Sequence, residues 1–411
     1  MAYLRGINAD ILEYIELADA SLDAGNTEKA ETRLRAALVL ADEAGSRTKP
    51  AIRCMAEANL AGVLVQTGRQ GEAGVVLGAI EVAPANDFLP LSILLLVAVT
   101  RSRWLLATKE YKQAIDELSP FFTSDGTPTR LLKFEIWRNV ANGNLKSLGL
   151  VRRLCAAGLE LLGIACFKAG HYDAGERSFR RLLKRRRGTA GQTVRLRLAL
   201  AKAAKGDSAG AKTDYSAICR RGLPPKVSSA EFSLMAELAQ AVGEIQAAIG
   251  WLEKSLAEAE VTAMGAAAQR IRSESFGRLG QCYLSLGQAA KAEAAFRTQE
   301  EIQRRLVPAD EKEIAATLVN LAASLCKQGR FDAALTELLK VLSILYRAAG
   351  SGPRSAITAP KEMEASEHGS GDVQATADAF ARVVSTIKAA LPDGDETRQT
   401  VLQTCRELGY E

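Results

Sequence analysis

Two amides and one dense series of guanidinium groups are the side chains of this chain best suited to chemistry, and the chemistry is that of binding. Asn59 and Asn320 each precede a leucine and an alanine, in Asn59-Leu60-Ala61 and Asn320-Leu321-Ala322. A side-chain amide both donates and accepts, so it can satisfy the peptide group of another chain. The second feature is the run Arg177, Arg180, Arg181, Lys184, Arg185, Arg186 and Arg187. Residues 177, 180, 181, 184 and 187 recur at three- and four-residue steps, which draws a basic stripe along one side of a helix. Residues 150–221 hold 17 Lys or Arg against 5 Asp or Glu, a local +12, so with a net +5 overall the remainder carries −7. Such a stripe is either a solvated convex face or an attractor of something acidic: nucleic acid, an anionic membrane, or a protein surface such as tubulin. No aromatic-rich module for stacking bases accompanies it, which disfavours nucleic acid.

Catalysis lacks its parts. The only histidines, His171 and His368, fall in a turn between helices and in a Gly/Ser-containing tract, so neither a zinc site nor a histidine-based triad assembles. The seven cysteines (Cys54, Cys155, Cys166, Cys219, Cys282, Cys326, Cys405) are odd in number and scattered, with no pair at metal-ligand spacing. They read as reduced, small core residues. There is no Gly-x4-Gly-Lys-Ser/Thr loop, no Gly-x-Gly-x-x-Gly after a strand, no Gly-x-Ser-x-Gly elbow and no His-Glu-x-x-His. The expectation is a protein that is not an enzyme and takes no cofactor or metal.

The elements that position these groups are announced by a recurring junction. A glycine or its stand-in is followed five residues later by a small residue at Gly25/Ala30, Gly68/Ala73, Lys109/Ala114, Gly170/Gly175, Gly206/Ala211, Gly243/Ala248, Gly287/Ala292 and Gly329/Ala334. Around the seventh, Phe276, Leu279 and Tyr283 share one helical face, Gly280 admits a partner helix, Gly287 permits a left-handed turn, and Ala292 with Phe296 forms the return face. That is a helical hairpin, and eight of them predict an all-α fold, an α-α superhelix of stacked hairpins. A hydrophobic content of 47% with 5% aromatics suits closely packed helices.

The series Phe276, Leu279-Gly280, Tyr283, Ala292 and Phe296 resembles the tetratricopeptide pattern W-x2-L-G-x2-Y…A-x3-F, with Phe in the first aromatic position. Similar copies are Leu162-Gly163…Cys166…Tyr172…Phe179 and Leu318…Leu321-Ala322…Leu325…Phe331…Ala334…Leu338. The resemblance to tetratricopeptide repeat (TPR) proteins covers about residues 10–348, and the longer hairpins between Leu279 and Tyr346 are similar to the repeats of kinesin light chains. It implies that first helices line a concave groove where an extended or helical segment of a partner protein binds, and that Asn59 and Asn320 grip that segment's backbone. Arg278 holds the equivalent position in the seventh hairpin. The same groove would include Arg103, Phe167, Gln281 and Lys327, with Leu106, Glu160, Ile164, Lys168, Glu237 and Gln240 beside them. No lysine-asparagine cluster of the kind that clamps acidic chaperone tails is present. The implied function is a protein-protein scaffold or adaptor, with a peptide-sensing regulator as the alternative.

The domain expectation is a subarray over 1–128, an inserted helix and bend at 129–144, and a second subarray over 145–348. A linker at 349–372 too poor in large apolar residues to order, and a helix pair at 373–411 that caps the array or occupies its groove, follow. The inserted helix is amphipathic, with Leu131, Leu132, Phe134 and Trp137. The longest apolar stretch, 89–100, is shorter than the roughly 20 residues a membrane-crossing helix needs. Without a secretory start at residues 1–8, a cytoplasmic location is expected, with cytoskeletal or ciliary association compatible.

Overall fold

A computed structural model describes residues 2–23, 26–44, 50–80, 90–123, 126–142, 145–185, 189–222, 227–262, 266–306 and 311–348, together with Ser385 and Gln399. The linker and helix pair expected after residue 348 lie outside the described residues apart from those two, as do Gly25, Arg186, Arg187, His368 and Cys405. Among the described residues every regular element is an α-helix, and extended pairing is limited to an isolated bridge between Phe122 and Pro128. The fold is all-α and built of helical hairpins.

The chain divides into two units, Met1–Ile218 and Cys219–Glu411. The first contains α1 (Ala2–Asp23), α2 (Thr27–Ala44), α3 (Pro50–Gln66), α4 (Gln70–Ala79), α5 (Leu91–Ala107), α6 (Tyr111–Leu118), α7 (Arg130–Ala141), α8 (Leu145–Lys168), α9 (Tyr172–Arg185), α10 (Thr189–Ala204) and most of α11 (Ser208–Arg221). The second contains α12 (Ser229–Ala241), α13 (Ile245–Thr262), α14 (Ala266–Ser285), α15 (Ala289–Arg305), α16 (Glu311–Lys327) and α17 (Phe331–Ala348).

One junction closes the hairpins. Gly68, Gly170, Gly206, Gly243, Gly287 and Gly329 have φ between 73° and 89°, and Lys109, the sequence's stand-in, is the one non-glycine with positive φ among the described residues, at 67°. The residue after each donates its N–H to the carbonyl five residues earlier, as in Arg69 to Leu64 (2.8 Å), Glu110 to Leu105 (2.7 Å) and Gln288 to Tyr283 (2.8 Å). This is a Schellman closure, which satisfies carbonyls that the helix end leaves open and needs a left-handed residue to do so. Asn26 makes the same bond to Ser21 at 2.8 Å. Four residues on, the small residue donates to the carbonyl of the new helix's N-cap, as in Ala73 to Arg69 and Ala292 to Gln288. It is small because the first helix lies against it: a Cβ on Gly175 would stand 3.1 Å from the carbonyl oxygen of Gly163.

Inside the hairpins a glycine on the first helix faces a phenylalanine on the second. An added Cβ would lie 2.6 Å from the Phe179 ring at Gly163 and 2.5 Å from the Phe296 ring at Gly280. The unit cores grow outward from these contacts, through Leu159, Leu162 and Leu182 in the first unit and Leu318, Leu321 and Leu338 in the second.

Two places depart from the repeat. In the third hairpin the leucine position is taken by Arg101, whose Nη2–H groups reach the carbonyls of Leu77 and Ile80 at 3.3 Å and so close the end of the short helix α4. It sits in a cleft of ≈ 660 Å³ with Trp104, Asp116 and Glu117. The extra helix at 130–141 buries Leu132 in the core, yet leaves Leu131, Phe134 and Trp137 exposed. The cysteine expectation also needs one correction: Cys54, Cys155, Cys166, Cys282 and Cys326 are buried, whereas Cys219 is exposed. Cys219 follows Ile218, the last buried residue of α11, so the helical period turns its side chain outward.

Candidate interaction surface

Within each unit successive first helices lie side by side: α1, α3, α5 and α8 in one, and α12, α14 and α16 in the other. The candidate groove residues all lie on these helices. In the first unit this brings Asn59 onto α3, Arg103 onto α5 and Phe167 onto α8; in the second, Arg278 and Gln281 sit on α14, with Asn320 and Lys327 on α16.

The two asparagines are half-buried, and among the described residues neither amide makes a hydrogen bond. Arg103 is also half-buried. Burial pulls its guanidinium below the ordinary arginine value, with the Glu160 charge opposing, and none of its N–H groups meets an acceptor among the described residues. The Glu160 carboxylate is instead taken by Arg197 of α10 at 2.8 Å. In the second unit Arg278 donates to Glu237 of α12, also at 2.8 Å. Phe167 packs edge-on to Tyr172, with centroids 5.6 Å apart. Gln281 is exposed, and exposed Lys327 donates from Nζ to the Leu284 carbonyl at 3.3 Å.

Arg197 was missed by the sequence reading, although its signal was there. It directly precedes Leu198-Ala199, as Asn59, Arg278 and Asn320 precede their own pairs of a leucine and a small residue. The four residues share one repeat position.

The basic stripe lies on α9 and is partly neutralised. Arg180 donates to Glu176 at 2.5 Å, and Lys205 reaches Glu176 at 2.8 Å and Asp173 at 2.6 Å. The Lys205 hydrogen bond and the Arg180 charge hold Glu176 below its ordinary value despite burial. Arg177, Lys184 and Arg185 are exposed, Arg181 is half-buried, and Arg186 and Arg187 lie outside the described residues. Burial raises the thiols of Cys155, Cys166 and Cys326 to about 11, so these cysteines are held as neutral core groups. Among the described residues no three His, Cys, Asp or Glu side chains gather to hold a metal ion, and no helix is long and apolar enough to cross a membrane.

No curated protein matches the chain. Solved structures similar to it include a tetratricopeptide repeat protein from Parabacteroides merdae, 14% identical, covering 77% of this chain and 99% of that one with a TM-score of 0.45. BtubC from P. vanneervenii is 17% identical over 59% of this chain and 94% of that one, with a TM-score of 0.44. A Rap protein complexed with competence and sporulation factor is 12% identical over 87% and 99%, with a TM-score of 0.45. Residues 272–347, which contain most of α14, all of α15 and α16 and nearly all of α17, match the tetratricopeptide repeat family. That match lies on two hairpins whose left-handed junctions recur at the same offsets along the chain, so the chain carries tetratricopeptide repeats over residues 272–347.

Proposed function

We propose that the chain is a non-enzymatic interaction scaffold that seats an extended or helical segment of a partner protein along its first helices. The observation that carries this reading is unmet hydrogen-bonding capacity on first helices of each unit. Arg103 offers donors in a partly desolvated setting without a bonded acceptor, and Asn59 and Asn320 offer amides that bond nothing described. A partner's carboxylate would answer the first and its peptide groups the second, and each polar group left unmet under a bound segment would cost about 1–3 kcal/mol. The exposed cations Arg177, Lys184 and Arg185 on α9 give acidic partner surfaces a second point of contact.

Crosslinking mass spectrometry tests this on the full chain isolated with its bound proteins. Lys168 and Lys327 report from first helices, Lys112, Lys212 and Lys340 from second helices. Partner crosslinks should concentrate at Lys168 and Lys327, and Arg103→Glu or Asn320→Ala should lower partner recovery about tenfold. Crosslinks confined to the second helices would overturn the assignment.

A further inference from the structure

On α7 stands an apolar ridge that no described residue covers. Leu131, Phe134, Trp137 and Val140 are 66%, 59%, 63% and 53% exposed, and the Phe134 and Trp137 rings lie 6.0 Å apart. With about 3.6 residues per turn, Phe134, Trp137 and Ala141 run along the middle of the outward face. Lys133 and Val140 border them on one side, Leu131 and Arg138 on the other, and Arg130 stands one turn before Phe134. The one carboxylate of the helix, Glu135, is buried, where it accepts from Arg138 at 2.8 Å and Asn139 at 3.0 Å. The outward face therefore presents cations and apolar groups and no acid. Early in α8, which follows α7 directly, Arg152 and Arg153 are exposed as well.

We propose that this ridge docks onto an anionic lipid surface. A contiguous exposed apolar patch marks an interaction site, and the charges around it choose among occupants. A second copy related by a two-fold axis would set Arg130 and Lys133, which have no carboxylate beside them on this helix, against the same charges. The ridge also offers only about 400 Å², half of the about 800 Å² per partner of a stable protein complex. A lipid surface needs neither a matching pocket nor that area. Trp, Phe, Leu and Val side chains enter the boundary between headgroups and acyl chains, while bordering Lys and Arg meet anionic headgroups. Aromatic rings favour that depth.

The full chain is mixed with vesicles of phosphatidylcholine containing about 30% phosphatidylserine, and binding is read by cosedimentation and tryptophan emission. Trp137 is isolated as the difference from Trp137→Ser, since Trp104 donates to the Gln70 carbonyl and Trp251 stacks on Phe232. The expected result is sedimentation with a blue shift of Trp137 emission. Binding should fall at least about tenfold on pure phosphatidylcholine, in Phe134→Ser/Trp137→Ser and in Arg130→Glu/Lys133→Glu, with circular dichroism unchanged at these exposed sites. For the unmutated chain it should also weaken at about 0.5 M salt. Failure to bind, equal binding to neutral vesicles, or binding that survives Phe134→Ser/Trp137→Ser overturns the proposal. A doubling of mass that Trp137→Ser abolishes, without vesicle binding, gives the ridge to a second copy and overturns it too.

Discussion

Arg278 on α14 donates an Nη2–H to Glu237 on the neighbouring first helix α12 at 2.8 Å, and Arg197 on α10 makes the same kind of bridge to Glu160 on α8, also at 2.8 Å. Both arginines hold the repeat position that Asn59 and Asn320 hold elsewhere, directly before a leucine and a small residue. Where a carboxylate faces that position the arginine is occupied by its own chain; where none does, an amide is left for something else to bond.

The strength of such a bridge is measurable. The Arg278 and Glu237 side chains are 25% and 26% exposed, so water screens much of their attraction, and a bridge of this exposure contributes about 0.5 kcal/mol. A double-mutant cycle of Arg278→Ala and Glu237→Ala by urea unfolding should return a coupling of that size. A coupling above about 2 kcal/mol would show the bridge holding the hairpins together.

The contact between Gly280 and Phe296 should behave in the opposite way. A Cβ at Gly280 would lie 2.5 Å from the ring, and a buried, fully packed ring has nowhere to retreat. Gly280→Ala is expected to cost about 1–3 kcal/mol of overpacking, read as a lower urea midpoint with an unchanged slope. Adding Phe296→Leu should return part of the loss, because the smaller side chain vacates the collision. If Gly280→Ala leaves the midpoint unmoved, the helices do not approach as closely as the structure has them.

The hairpins were legible because their junctions obey backbone rules. Only a few residue types enter the left-handed region cheaply, and the hydrogen bonds that follow force a constant offset to a small residue, so even the Lys109 stand-in could be recognised from its spacing. The outward face of α7 was not legible in that way. Periodicity shows that Leu131, Phe134 and Trp137 share a side, but whether that side is covered depends on packing, and here Leu132, Glu135 and Asn139 took the inward side instead. The candidate groove was half legible. Its positions follow from the repeat register, whereas the bridges from Arg197 to Glu160 and from Arg278 to Glu237 join residues 37 and 41 apart and exist only once neighbouring first helices are stacked.

Lys109 carries a strain that its glycine counterparts avoid. At φ 67° its Cβ crowds its own backbone, a conformation that costs an L-residue about 1 kcal/mol relative to glycine. Lys109→Gly is expected to raise stability by about 0.5–1 kcal/mol, less whatever glycine gains in unfolded-chain freedom. Gly287→Ala, at φ 73°, should lower it by a similar or larger amount. Both are read from urea midpoints, and a destabilising Lys109→Gly would mean that the lysine side chain contributes more than its backbone costs.

Glu293 ties α15 to the turn between α16 and α17 in the second unit. Its carboxylate accepts from Gln328 at 2.9 Å, from Arg330 at 2.8 Å and from Arg297 at 2.9 Å. Burial pushes its pKa up, but the hydrogen bonds from Gln328 and Arg297 and the charges of Arg330 and Arg297 outweigh burial and hold it below the usual 4.5. A carboxylate depressed in the folded state contributes its full stability above the unfolded value and loses that contribution as pH falls through the lower folded value. Glu293→Gln should therefore cost about 1 kcal/mol at pH 7, the half-exposed arginines being screened. The gap between the unmutated and variant chains should close as pH drops below about 4. Thermal unfolding at a series of pH values tests both parts. A gap that persists undiminished at pH 3 would mean that Glu293 acts through packing and not through its charge.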